Sequence, residues 1–465
     1  MKVLLLNPPS VGEGKHNHTN GFFSYPTWLA SGAASVESNG HDILLLDAPA
    51  SHLSCGDVEE KARNFRPHLL VLNTTMCSLQ SDAVVAEALK TIVGDLFVVL
   101  AGTYVSACPE EALKLIPTAG AVVRREYDAT LPALAERLER GESIETVAGI
   151  TYRAAGTVLS NPDVPPLHRL DKIPFLSSIY RRFLDIRAYS RRDTPYPMMA
   201  LTTSRGCTYG CTFCVYPQTF SGRKIRYRSI ENVLEELDYI KEYFPEVAGI
   251  FFEDDTLTMN RQRCRELCEA LIDRKMKIVW TTRCRPDVDL ETLKIMKGAG
   301  CQALSVGFES GSQEILNRIQ RHTTREKMEK FVSNTNKTGI RLHGSFIAGL
   351  PGETRATLEE TLAFSKRLNP ATVRFVPLIP HPGTAAYKWF LDLNLLKPGL
   401  DGECFSEGQN YIAPTHELTP DDILSFCLRA QKEFYKRPAY VFSQLKRSVL
   451  HPRQIPQVWK RYGIR

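Results

Sequence analysis

Twice along this chain, short apolar runs alternate with helical stretches, and that rhythm admits few folds: strands separated by helices run parallel, with the helices covering the sheet. In residues 1–150 the strand-like runs fall at 3–6, 43–46, 69–72, 97–100 and 121–123, with helical stretches at 27–38, 58–65, 81–93 and 129–140. The pattern predicts a doubly wound, Rossmann-like parallel sheet whose ligands bind beyond the carboxyl ends of its strands. The loops in that position are Asn7-Pro8-Pro9-Ser10, Asp47-Ala48-Pro49, Asn73-Thr74-Thr75 and Ala101-Gly102-Thr103. Residues 151–195 lose the period, with a hairpin-like stretch and a proline-rich segment from Asn161 to Pro166, and read as a linker. From 196 to 390 the alternation returns, with strand signals at 199–203, 249–252, 278–281, 303–308, 342–347 and 373–377. Such a series of strand and helix repeats predicts a partial (β/α)6 barrel with catalytic groups at the strand ends. Residues 391–465 are irregular and then helical, with a helix expected over 421–435.

At 465 residues and 43% apolar, the chain is long enough for several cores. No apolar run approaches the ~18 residues that cross a bilayer, and Met1 leads directly into a strand, so a cytoplasmic location is expected. The net charge of +6 is modest, and basic residues crowd only at Lys446, Arg447, Arg453, Lys460, Arg461 and Arg465. A solvated terminal helix accounts for that end, so no nucleic-acid partner is expected; an anionic membrane surface is the other use open to it. The 12 cysteines, in a chain without a secretory signal, point to metal or catalytic thiols rather than a disulfide scaffold. Cys264 and Cys268 share a helix face but have no further ligands nearby, and most of the isolated cysteines sit among apolar neighbours as small hydrophobes.

Cys207, Cys211 and Cys214 are the exception, gathered in one loop directly after the first strand of the second block. Thiolates are soft ligands that suit iron–sulfur clusters, and spacings of three and two residues let one loop wrap three corners of a cube. One iron is left open, free to chelate the amino and carboxylate groups of a methionine moiety and pass an electron to its sulfonium. A structural zinc loop would want a fourth cysteine or histidine, and the loop holds none.

With this motif the chain resembles the radical S-adenosylmethionine superfamily over residues 196–390. The resemblance implies a [4Fe–4S] cluster on Cys207, Cys211 and Cys214, and S-adenosylmethionine as cofactor. It implies that Phe213 packs on the adenine, that Glu309, ending the fourth strand of the block, holds the ribose, and that the segment from Gly344 through Gly349 to Glu353 flanks the adenine. Glycine there permits close backbone approach, while Glu353 is expected as a helix-start acid. The Gly-Gly-Glu stretch of the superfamily is absent; in its place stand Glu253, Asp254 and Asp255, with the two aspartates expected as partners of the methionine amino group.

A doubly wound domain ahead of such a barrel is similar to the cobalamin-binding branch of the superfamily. This implies cobalamin held by Asn7, Pro8, Thr74, Gly102 and Thr103, with Gly102 admitting the nucleotide tail. Tyr25 to Ala30 and Arg125 to Thr130 also resemble that branch. The His16-Asn-His18-Thr-Asn-Gly21 stretch echoes a cobalt-ligating signature with histidine in place of the aspartate that should orient His18. The segments 23–30, 46–54, 214–222 and 243–247 are most similar to hopanoid-processing members that contract a ribose-derived ring to a cyclitol. Where the third strand ends, Cys284 is a candidate hydrogen donor to a product radical, with a packed strand-end thiol as the alternative; Arg283 or Arg285 is a candidate grip for a carboxylate or phosphate, with pairing to an acid such as Asp287 as the alternative.

The resemblance implies an enzyme that generates a 5′-deoxyadenosyl radical and acts on an unactivated carbon by C-methylation or carbon-skeleton rearrangement. It would take a small-molecule or lipid substrate and an electron donor such as flavodoxin or ferredoxin, and a lipid substrate would make peripheral membrane contact sensible. Two alternatives stay open: an enzyme whose first domain binds no cobalamin, and a cluster-carrying or redox-sensing protein without turnover.

Overall fold

The computed structural model describes residues 1–9, 23–396, 412–438 and 440–442. These fall into two compact units, one within 1–191, 196–257 and 380–411, the other within 192–195, 258–379 and 412–465. His18, Cys404 and the basic residues from Lys446 to Arg465 lie outside the described residues.

In the first unit, β1 (Lys2–Asn7), β2 (Asp42–Asp47), β3 (Leu69–Asn73), β4 (Phe97–Ala101) and β5 (Ala121–Val123) form a parallel sheet in the order β2-β1-β3-β4-β5. Val3 to Leu6 and Leu69 to Leu72 are fully buried, as strands covered on both faces require. The helices α1 (Thr27–Ser38), α2 (Cys55–Phe65), α3 (Leu79–Val93), α4 (Thr103–Ala107), α5 (Pro109–Leu115) and α6 (Thr130–Glu139) connect them. Small residues line α1, and a Cβ on Gly32 would come within 2.9 Å of the Tyr127 ring, so the helix packs at close range.

The sheet continues past the point where the sequence period fades. Strand β6 (Ile150–Ala154) adds antiparallel to β5, and β7 (Thr157–Ser160) antiparallel to β6, making seven strands in all. Arg124 supports this extension by donating to the Ile150 carbonyl and the Thr151 hydroxyl. In the stretch read as a wrapping linker, α7 (Leu176–Phe183) buries Leu176, Ile179 and Tyr180, while Tyr189 donates to Asp47 at 2.8 Å. The helical period of α7 is too short to stand out in sequence, and its order comes from packing.

Also in this unit, β8 (Met198–Leu201) pairs in parallel with β11 (Gly249–Phe252), and a short ribbon joins β9 (Ser204–Arg205) to β10 (Arg226–Tyr227). Helices α8 (Val215–Thr219) and α9 (Ile230–Tyr243) follow the cysteine loop. Ser229 caps α9, and Arg228 and Ser177 both bond the fully buried Glu236 of that helix.

The second unit holds β12 (Trp280–Cys284), β13 (Cys301–Glu309), β14 (Arg341–Ala348) and β15 (Thr372–Pro377), each parallel to the next. Its helices are α10 (Arg261–Asp273), α11 (Leu290–Gly298), α12 (Gln313–Arg318), α13 (Arg325–Thr338), α14 (Arg355–Leu368) and α16 (Pro420–Tyr435), whereas α15 (Ala385–Asp392) belongs to the first unit. The third expected strand of the block begins at Trp280 rather than 278, because the ladder to β13 opens with Trp280 opposite Cys301. Its end therefore moves to Cys284. A capping box of Thr419 and Asp422, with Pro420 at the first turn, starts α16 one residue before the expected start at 421.

Candidate functional site

The cysteine loop leaves β9 through Gly206, whose φ of +95° and whose hypothetical Cβ, 2.5 Å from the Lys224 carbonyl oxygen, admit only glycine. Backbone bonds then fold the loop on itself: Cys207 N–H donates to Gly222 O at 3.3 Å and Cys214 N–H to Cys211 O at 3.2 Å. Gln218 of α8 gathers it from behind, donating to the Cys214 carbonyl at 2.7 Å while its own carbonyl accepts from Ala385 at 3.0 Å. Burial first, and then the negative neighbours Cys211, Asp255 and Cys207, push the Cys214 thiol up to about 12. A metal bound at this sulfur would have to displace that proton, because metals take the thiolate. Phe213 lies on the loop half-buried.

Asp254 and Asp255 brace this loop. Asp254 is fully buried and accepts from Thr203 N, Thr203 Oγ1 and Ser204 Oγ, each at 2.6 Å; Asp255 accepts from Gly206 N and Ser221 Oγ, both at 3.0 Å. Burial raises the Asp254 pKa against those hydrogen bonds. An Asp254→Ala variant would strand the buried Thr203 N–H, a loss of ~1–3 kcal/mol. We expect it to melt several degrees lower and to retain less iron after gel filtration, measured as iron per chain.

A second set of bonds, not foreseen from sequence, ties the same loop to the doubly wound sheet. Arg205, only 4% exposed, pairs with Asp128 at 2.6 Å and Glu126 at 3.7 Å, and lies over the Trp28 ring at 4.4 Å. Arg226, its cross-strand partner, grips both oxygens of Glu126 at 2.7 and 2.6 Å. Burial opposes the Arg205 charge, and Asp128 and Glu126 outweigh it, leaving its pKa raised. Thr27 of α1 also donates to Glu253 at 2.6 Å. The signal was present, since Arg205 stands inside the cysteine motif and Glu126 and Asp128 in a segment singled out for other reasons, but nothing local joins positions so far apart.

At the carboxyl ends of the first sheet, Asn7 donates to Asp47 at 2.8 Å and accepts from Asn73 at 3.2 Å, and Pro8 is buried beside it. Thr74 is fully buried, with its N–H on the Ala101 carbonyl at 2.8 Å. Gly102 has φ +138° and a hypothetical Cβ 2.4 Å from the Thr74 carbonyl oxygen; Thr103 then opens α4. Thr74 and Gly102 are thus in direct contact. Nearby, burial lifts the Asp82 carboxyl to about 8 against bonds from Ser78 and Thr74, and its buried Oδ1 has no hydrogen-bond partner. Asp82 lies in the first turn of α3 and is fully buried, so this carboxyl belongs to the packing beneath the loop after β3.

The sheet and the cysteine loop meet at α4 and α8, which pack together. Gly383 sits between them: a Cβ there would fall 2.7 Å from Thr219 and 2.8 Å from Ala107.

In the second unit, Glu309 ends β13 with a left-handed φ of +68°, and its carboxylate folds over Gly307, where a Cβ would be 2.0 Å from Oε1. Arg321 stands 3.4 Å from it. Burial raises the Glu309 pKa while Arg321 and Arg285 oppose the rise. Arg285 is itself buried and lies 3.8 Å from Asp287, the pairing that sequence offered as the alternative to a ligand role. Cys284, the last residue of β12, is buried; burial first, then Cys301, Asp287 and Cys264, push its thiol well above the ordinary range. Gly349 has φ +85°, and a Cβ on it would meet Ile423 of α16 at 2.9 Å.

Glu353 corrects an expectation. It does not start α14, which Thr354 and Thr357 cap; it bends back to accept from Gly349 N at 2.5 Å and Leu350 N at 3.1 Å. Burial pushes it up to about 8 against those bonds. Between the ordinary 4.5 and about 8 the folded chain holds a proton that the unfolded chain releases. Its stability contribution is therefore complete below that window and declines as pH rises through it. E353Q, which cannot titrate, should show a flatter melting temperature between those limits than the parent in a thermal scan across pH.

Among the described residues no three His, Cys, Asp or Glu side chains gather as they would around a single metal ion. A cube binds its thiolates at separate irons and needs no such convergence. These features define a two-unit α/β protein in which a three-cysteine loop is braced against a doubly wound parallel sheet.

The family profile described as Radical SAM superfamily matches residues 201–365, and that described as B12 binding domain matches 17–135. An uncharacterized methyltransferase of Pyrococcus horikoshii is 30% identical over 446 residues, 96% of this chain and 95% of the relative. The hopanoid C-3 methylase of Methylococcus capsulatus is 26% identical over 401 residues, covering 83% of this chain and 72% of that one. The solved structure of the radical S-adenosylmethionine methyltransferase TsrM from Kitasatospora setae, with cobalamin and [4Fe–4S] cluster bound, superposes with a TM-score of 0.68 at 18% identity, over 83% of this chain and 76% of that one, a likeness of fold. The chain belongs to the radical SAM superfamily, in the branch that carries a B12-binding domain ahead of the radical SAM domain. Its cofactors are a [4Fe–4S] cluster, S-adenosylmethionine and cobalamin.

Proposed function

We propose that the chain is a C-methylating enzyme, in which Cys207, Cys211 and Cys214 hold the cluster and Asn7, Pro8, Thr74, Gly102 and Thr103 line the corrin site. The observation that carries this reading is the packing of α4, which opens directly after Gly102, against α8, which starts directly after Cys214, with Gly383 between them. When bound, the cluster supplies the electron that cleaves the sulfonium of S-adenosylmethionine, and the corrin supplies a carrier for a methyl group.

The chain's own residues bind and orient. Asp254 and Gln218 fix the loop so that three thiolates face one cluster. Asp255, bonded through one oxygen to Gly206 and Ser221, acts electrostatically on Cys214 and serves the methionine amino group. Phe213 takes the adenine face, Glu309 the ribose hydroxyls, and the turn from Gly349 backs the adenine. Cys284, kept protonated by burial, is the hydrogen donor held in reserve. The first sheet, extended through β6 and β7, acts as the corrin module, and the segment matched by the radical SAM profile as the radical domain.

A one-electron donor of the flavodoxin or ferredoxin type supplies the reductant, and the substrate is a small molecule or a lipid, as the methylase relatives suggest. No helix among the described residues is long and apolar enough to cross a membrane. We place the enzyme in the cytoplasm, with peripheral contact at a membrane if the substrate is a lipid.

The test is anaerobic reconstitution with iron, sulfide and hydroxocobalamin, followed by reduction with S-adenosylmethionine. Both 5′-deoxyadenosine and S-adenosylhomocysteine are expected by mass spectrometry. With corrin bound, 5′-deoxyadenosine alone would replace methylation by rearrangement.

A further inference from the structure

Arg205 and Arg226 are neighbours across the β9–β10 ribbon, and the acids they bind, Glu126 and Asp128, alternate along the loop that leaves β5. All four side chains are 5% exposed or less. Burying so many charges is costly unless every one is paired with good geometry. Here it is paired: Arg226 grips Glu126 with both terminal nitrogens, and Arg205 bonds Asp128 and the Ser31 hydroxyl, which in turn donates to Asp128. The Trp28 face covers the Arg205 guanidinium, and the Phe220 ring meets Trp28 edge-on at 4.6 Å.

The ends of this network matter more than its centre. Arg205 stands two residues before Cys207, and Arg226 bonds the Ser221 carbonyl, whose hydroxyl holds Asp255. On the other side Glu126 and Asp128 follow β5 at the carboxyl edge of the sheet, and Trp28 and Ser31 lie on α1. A hydrophobic contact of the same area could slide, whereas a bidentate arginine accepts one orientation of its carboxylate. Buried ion pairs of this kind are best attested as devices that fix register.

We propose that Arg205 is a positioning residue, clamping the cluster loop to the corrin-binding sheet through Asp128 and thereby setting the separation between cluster and corrin. The inference rests on the functional reading above. Arg226 and Glu126 form the second jaw, and the aromatic pair Trp28 and Phe220 keeps water out of the first. Reaction geometry is sensitive to shifts of this scale, where ~1 Å can cost ~10²-fold in rate.

The test uses the full chain, reconstituted with iron, sulfide and hydroxocobalamin, as parent, R205Q, D128N, R205K and the R205Q/D128N double variant. Iron and corrin content are measured first. The power saturation of the Co(II) EPR signal is then followed with the cluster oxidised and reduced, since a nearby paramagnetic cluster speeds its relaxation. R205Q and D128N are expected to load both cofactors as the parent does, while the relaxation enhancement falls several-fold. Their KM for S-adenosylmethionine stays unchanged and kcat falls by about 10²-fold. The double variant should be no worse than the poorer single one, because each removes the same pair. R205K recovers part of the enhancement, since an ammonium keeps the charge without the fork.

Parent-like relaxation and kcat in both single variants would overturn the clamp. So would loss of either cofactor in both, which would make Arg205 a folding residue. A parent that takes up no corrin overturns the functional reading and the clamp with it, so the two failures are told apart by the parent sample alone.

Discussion

Replacing any one of Cys207, Cys211 or Cys214 by serine is expected to abolish 5′-deoxyadenosine formation, by about 10³-fold or more, and the triple variant should be no worse than a single one. If the loop's three thiols serve one cube, as proposed, losing one corner forfeits the site rather than a third of it. Serine preserves size and burial at each position, and the fold is held independently by Asp254 on Thr203 and Ser204 and by Gln218 on the Cys214 carbonyl. Far-ultraviolet circular dichroism and melting temperature should therefore stay close to those of the parent while iron content collapses. Corrin uptake should also persist, because its proposed residues lie in other segments. A serine variant that keeps both iron and nucleoside production would remove that cysteine from the cluster.

The second large effect is expected at Gly102. Alanine there must adopt a φ of +138°, and its methyl would press to within 2.4 Å of the Thr74 carbonyl oxygen. Non-glycine residues in that region cost about 1–3 kcal/mol, before the clash is relieved by moving backbone. The movement falls on Thr74, Thr103 and the start of α4. Gly102→Ala is thus expected to lose corrin by more than tenfold in retention, read from the visible spectrum after gel filtration. The cluster loop does not depend on that φ, so iron content should remain near parental. Loss of both cofactors together would mean that Gly102 supports the fold of the whole unit.

Much of this architecture is legible in the sequence, and the residues show why. Parallel strands buried on both faces, such as Val3 to Leu6 and Leu69 to Leu72, read as uninterrupted apolar runs bounded by turn residues. The three cysteines declare themselves because their ligand spacing is local. What sequence could not give is whatever depends on partners far along the chain. The bonds by which Asp254 and Asp255 hold Thr203, Ser204, Gly206 and Ser221 span 34 to 51 positions, and no local pattern announces them. Glu353 sits where a helix-start acid belongs, but the turn ahead of it offers two N–H groups at closer range. Cys284, by contrast, stands at the buried end of β12, as its position at the end of the third strand signal implied. The Arg205 clamp is invisible for the same reason, its partner lying 77 positions away.

The central claim is that one chain holds a cluster and a corrin side by side for radical chemistry. The most direct measurement is a single anaerobically reconstituted sample, assayed for iron, sulfide and corrin per chain and then for 5′-deoxyadenosine after reduction with S-adenosylmethionine. The account predicts one [4Fe–4S] cluster and one corrin per chain, with nucleoside formed only on reduction. An iron-replete sample that forms no nucleoside would contradict it.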